Sequence, residues 1–230
     1  MKKENDITTQ NAEVTNSTSV MMQTVAGNDA AIGYVSLGSL SDDVKALKVD
    51  GVEATVDNVK SGDYKVARPF NIVKGENVSE LAQDFEKYIM SEEGQATVAE
   101  EGYIREDNTE EYTASGLSGK ITLAGSTSVA PVMEVLAEGY KALNPDVEIE
   151  IQQTGSGAGI ESVIAGTCDL GMSSRALTED ELAQGLTVTE IATDGIAVIV
   201  NNNNTIEDLT TDIIGQIFKG EITTWDEVTK

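Results

Sequence analysis

From Lys120 onward the chain alternates short apolar runs with helix-length stretches, and this rhythm constrains the fold more than any other feature. KITLAG reads as a strand, SVAPVMEVLAEGYKAL as a helix, DVEIEIQQTG as a strand, AGIESVIAG as a helix and DLGMSS as a strand. Strands joined by helices of this length imply right-handed crossovers and a parallel sheet. Pro131 stands early in its helix, where a missing N–H costs nothing. Thr178 to Glu181 has capping-box spacing and opens a short helix. The β-rich run that follows, TVTEIATDGIAVIVN, is long enough to cross from one lobe into another.

The remaining segments read more simply. The C-terminal piece predicts a helix through Phe218 with a stop at Gly220. Near the other end, STSVMMQTVAG predicts a helix ending at Gly27, AAIGYVSLG a buried strand and ARPFNIV a further strand. Asn77 to Glu80 has capping-box spacing ahead of ELAQDFEKYIMSEEG, with more helix to about Gly102. REDNTEEYTASGLSG, residues 105–119, is polar and aperiodic and reads as a linker. These segments predict a larger lobe over 60–200, containing the linker, and a smaller one made of 1–59 with 201–230. Tyr34 and Phe70 are expected in the core, Trp225 as a packing residue, and Met21 and Met22 on the packed face of their helix.

Composition removes whole classes of function. The 230 residues suffice for a sizeable core. Forty acidic residues against 15 basic ones leave a net charge of -25, which argues against nucleic acid as a partner, because that binding depends on clustered basic side chains. With no histidine, Ser-His-Asp and Cys-His catalysis, histidine-based metal sites and the commonest general base are all missing. No metal-ligand cluster and no nucleophile-base pair is visible, so an enzyme is not expected, nor a metal or cofactor. Cys168, the single cysteine, reads as a small buried hydrophobe. No apolar run approaches the length of a membrane span, and the start, MKKENDITTQNAEV, has no apolar region of a signal peptide and no lipid-anchor cysteine.

Three loops fall at the carboxyl ends of consecutive strands, where α/β sheets hold ligands. They are GSTSV (125–129), TGSGAG (154–159) and SSR (173–175). Each offers hydroxyls or bare backbone N–H groups, and two run into helix N-termini whose partial positive charge favours an anion. Oriented dipoles can hold a dehydrated oxyanion in an acidic protein, since distant charges are screened beyond about 10 Å. Arg175 adds a local cation. Asp194 repels an anion unless a proton lies between them, so it is expected to favour protonated phosphate over sulfate.

LAGSTSVAPVMEVLAEGY, QQTGSGAGIESVIAGTCDLGMSSRAL, TDGIAVIVN, IFKGEITTWDEV and AIGYVSLG together resemble the phosphate-binding protein of the phosphate-specific ABC transporter, in its Gram-positive style. The resemblance spans nearly the whole chain apart from the linker. It implies a two-lobed α/β periplasmic-binding-protein fold of type II, with mostly parallel central sheets flanked by helices. Such a protein closes on inorganic phosphate outside the cytoplasm and hands it to an ABC permease. Carried over by position, Ser126, Thr127 and Ser128 lie in the first phosphate loop, Ser156 and Gly157 in the second and Ser174 in the third. Arg175 and Asp194 belong to variants of the pattern, as contacts of the ligand or of each other.

Two departures shape the expectation. In the family's usual order the GSTSV segment precedes IGYVSLG, whereas here IGYVSLG and RPFNIV come first, so the chain reads as circularly permuted, with 105–119 as the joint. The family's arginine and Gly-Ser-Gly-Thr turn, expected after WDEV, are not found, and their loss predicts weaker phosphate binding or a need for self-association or a complementing segment. The competing reading is an engineered or split scaffold that accepts such a segment without binding phosphate.

Overall fold

A computed structural model describes residues 7–107 and 109–228. Helix α1 (Thr18–Ala26) starts where the Ser17 hydroxyl accepts the Val20 N–H, and it ends at Gly27. Then come β1 (Ile32–Ser36), β2 (Val44–Ala46), β3 (Lys48–Val49) and α2 (Val56–Ser61). β4 (Ala67–Lys74) leads to α3 (Glu80–Ile89), α4 (Glu92–Glu100) and β5 (Ile104–Arg105). The alternation expected from the sequence follows as β6 (Gly119–Gly125), α5 (Ala130–Leu143), β7 (Val147–Gln153), α6 (Ser156–Ile164) and β8 (Leu170–Ser173). After α7 (Glu179–Leu182), with its Thr178 and Glu181 capping box formed, runs the 15-residue strand β9 (Thr187–Asn201). β10 (Asp208–Leu209), α8 (Thr211–Lys219), which stops at left-handed Gly220, and α9 (Trp225–Val228) complete the described chain. The cap of α3 is Ser79, whose hydroxyl accepts the Ala82 N–H, and not Asn77, because Glu80 already stands inside the helix.

The main sheet has the order β1-β9-β4-β8-β6-β7, with β2 and β5 also paired to β9. It is mixed, where a mostly parallel one was expected: β7, β6 and β8 pair in parallel, but β4 lies between β8 and β9 and is antiparallel to both. β8 and β9 nonetheless run the same way, on either side of a strand inserted from the first half of the chain.

β9 is the element that ties the molecule together. Up to Gly195 it pairs with β4, and from Ile196 it pairs with β1 and β2. Its residues Ile191 and Ala192 enter a core with Phe70, Phe85, Leu123, Met133 and Tyr140. Past the change of partners, period-2 alternation sends Val198 and Val200 into a second core with Leu47, Tyr64 and Leu209, and Ala197 and Ile199 into a third with Val25 and Val35. Trp225 packs against the second core and donates its indole N–H to the Ala30 carbonyl at 3.1 Å.

Several residues sit differently from expectation. Tyr34 is 52% exposed, because Gly33 and Val35 take the inward positions of β1. Its ring meets Phe218 edge-on, with centroids 5.9 Å apart. Phe70 is buried as expected, and Cys168 is half-buried against the Val73, Ile160 and Val163 cluster, its thiol pushed up to about 11 by burial and by Asp169. The stretch expected to be a linker is strapped to α3 and α4. Arg105 forks onto Glu92 at 3.0 Å through both amino groups, and the Tyr112 N–H donates to Glu93 at 3.0 Å. The hydroxyls of Tyr112, Ser115 and Tyr140 donate to Asp84 at 2.6, 2.7 and 2.7 Å. Burial alone would raise the Asp84 carboxyl, yet the three donors together hold it below its ordinary value.

Candidate anion-binding site

Glycines let the three loops meet. Gly125, at φ 145°, ends β6 so close to β8 that a Cβ would stand 2.2 Å from the Met172 carbonyl oxygen. A Cβ on Gly159 would stand 2.4 Å from the Ala124 carbonyl oxygen, so only glycine lets α6 lie against the end of β6. Gly155, at φ 90°, caps α6 with backbone alone, and among the described residues no side chain takes the N–H groups of the first turn. The result is a cleft of about 360 Å³ lined by Ser126, Thr127, Ser128, Gly155, Ser156 and Ser174, with Arg68 from β4.

The hydroxyls are organised by one another. The Ser126 hydroxyl accepts the N–H groups of Ser128 and Val129 at 3.2 and 3.4 Å, which closes the first loop onto α5. The Ser156 hydroxyl accepts the Ser174 N–H at 3.2 Å and lies 3.4 Å from the Ser174 hydroxyl, joining the second loop to the third. Thr127 donates to the Asn16 carbonyl at 2.8 Å and meets Thr18 at 3.1 Å. Asn16 also donates to the Thr154 carbonyl at 3.1 Å, so the segment before α1 reaches over the loops. Gly157 follows Ser156 in the first turn of α6, and a Cβ there would meet nothing within 4 Å.

Two sequence-predicted residues stand elsewhere. Arg175 neither lines the cleft nor pairs with Asp194: its guanidinium forks onto Glu181 at 2.8 Å through both amino groups, an acid six residues away on α7. That pair holds the Glu181 carboxyl at about 2. Asp194 is fully buried and is not among the residues that line the cleft. One of its oxygens accepts the Ser36 hydroxyl at 2.7 Å and the other accepts Arg68 Nε at 3.0 Å, partners that the sequence reading, which set the carboxylate against a proton on the ligand, did not foresee. Burial pushes the Asp194 carboxyl up, against the lowering by Arg68 and Ser36.

Arg68, Asn16 and Thr18 escaped sequence reasoning. The one available signal was Asp194 itself, since a carboxylate in an apolar strand needs a cation or donors. Which cation supplies it depends on register: Arg68 faces Asp194 directly across the antiparallel β4–β9 pair.

The family described as PBP superfamily domain matches residues 110–230. A protein named phosphate-binding protein PstS 2 from Streptococcus agalactiae is 51% identical over 226 residues, covering 98% of this chain and 77% of that one. Its namesake in Streptococcus pneumoniae is 48% identical and covers 98% of this chain and 78% of its own. The crystal structure of a phosphate-binding protein of a phosphate ABC transporter from Streptococcus pneumoniae superposes with a TM-score of 0.77 at 47% identity, over 99% of this chain and 90% of that one. With the fold, the loops and these relatives in agreement, the chain belongs to the PstS-type phosphate-binding proteins of the PBP superfamily.

Proposed function

We propose that this chain binds inorganic phosphate as the substrate-binding component of an ABC phosphate transporter, working outside the cytoplasm and catalysing no reaction. The observation that carries the reading is the convergence of the three hydroxyl-rich loops, with the open N-terminus of α6, on one cleft. A tetrahedral oxyanion accepts many hydrogen bonds. Thr127, Ser128, Ser156 and Ser174 supply hydroxyls, and the first turn of α6, including Gly157, supplies N–H groups and the positive end of a helix dipole. Serine and threonine hydroxyls also accept, so they can take the hydrogen of a protonated phosphate, a contact that sulfate does not offer. The two sides of the cleft close on the ligand about β9, the strand common to the first, second and third cores.

Calorimetric titration with phosphate, and with sulfate as the control, tests the reading. Phosphate-selective heat is expected, and Ser156→Ala weakens it about tenfold or more, the worth of a hydrogen bond to a charged acceptor. A folded Ser156→Ala variant with undiminished affinity would remove the second loop from the site.

A further inference from the structure

We propose that Arg68 is the cation of this anion site, fixed on Asp194 through Nε while its two terminal amino groups reach the bound oxyanion as a fork. The inference rests on the phosphate reading above and adds to it a residue outside the three loops.

The geometry carries it in three steps. Arg68 and Asp194 are register partners across β4 and β9, and their contact at 3.0 Å uses Nε alone. A carboxylate that meant only to neutralise arginine would take both ends of the fork, as Glu92 and Glu181 do with Arg105 and Arg175. Among the described residues the terminal amino groups of Arg68 have no partner, although the side chain is only 16% exposed. Second, Arg68 lines the cleft together with the loop hydroxyls, and among the described residues no other that lines it carries a positive charge. Third, the guanidinium is held from behind: Asp194 is immobilised by Ser36, and the Phe70 ring lies 5.5 Å below the guanidinium carbon. A half-buried, doubly anchored arginine keeps its charge and loses little freedom on engaging two oxygens of a tetrahedral anion. Glu13, on the segment before α1, is the one acid among the described residues that lines the cleft.

Two variants decide the matter. Arg68→Lys retains the charge but replaces the fork with a point donor that Asp194 can claim. The double variant Arg68→Met with Asp194→Asn removes both charges at once, so no buried carboxylate is left unpaired. Phosphate affinity is measured by calorimetry for each, beside the melting temperature without ligand. Arg68→Lys is expected to bind about tenfold more weakly and the double variant about 100-fold more weakly, with melting close to that of the parent protein. If the parent binds phosphate and a folded double variant binds it within about threefold as well, the role of Arg68 is overturned while the phosphate reading stands. If the parent itself gives no phosphate heat, the phosphate reading falls and this inference with it. Should the double variant fail to fold, undiminished affinity of Arg68→Lys alone overturns the proposal.

Discussion

Gly157 and Gly159 stand two residues apart in α6 and answer to different constraints. A Cβ on Gly159 would run into the backbone of β6, whereas one on Gly157 would meet open space. Gly159→Ala is therefore expected to cost about 1–3 kcal/mol, because α6 must back away from the sheet. Gly157→Ala is expected to be neutral or to stabilise by up to about 1 kcal/mol through better helix propensity. Urea unfolding of the two variants compares them, and equal midpoints would contradict the packing described for Gly159. The loops themselves were legible in the sequence, since GSTSV, TGSGAG and SSR advertise hydroxyls and glycines where strands end. Arg68 was not, because its partner lies 126 residues away and only the pairing of β4 with β9 brings the two together.

At the scale of elements, the strand and helix alternation after Lys120 was readable because apolar periodicity is local, and β6 to β8 follow it. Residues 105–119 were misread for the same reason: their composition is that of a linker, and what holds them is remote. Tyr112 and Ser115 reach Asp84 on α3, and Tyr112 and Leu117 pack on the first core. Tyr112→Phe removes one of three donors from a carboxylate that burial penalises, and it is expected to lower stability by about 1–2 kcal/mol. The same change should speed proteolytic cleavage within 105–119, since the strap then detaches at a smaller free-energy cost. Cleavage at the parent rate, with parent stability, would show that Asp84 does not hold the strap.

For the whole molecule, the long run TVTEIATDGIAVIVN announced a strand able to pass between lobes, and β9 does join the first, second and third cores. The insertion of β4 between β8 and β9 was beyond sequence reasoning, because strand order depends on long-range pairing that no local pattern encodes. A strand shared along its length makes separate melting of the cores costly, as each would leave half of β9 without hydrogen-bond partners. A single calorimetric transition is expected, moved upward by phosphate by about 2.7 kcal/mol of added stability when the ligand stands at 100 times its dissociation constant. Two resolved transitions would mean that β9 yields at Gly195 and the cores unfold independently.

The place of Trp225 gives the protein an optical gauge of its own. It is the sole tryptophan, it is seated against the second core by its bond to Ala30, and it does not line the cleft. Its emission is therefore blind to the anion as a direct neighbour, and any change in colour or brightness during a titration is news of a shift carried across β1, whose Ile32 lines both the cleft and the pocket at Trp225.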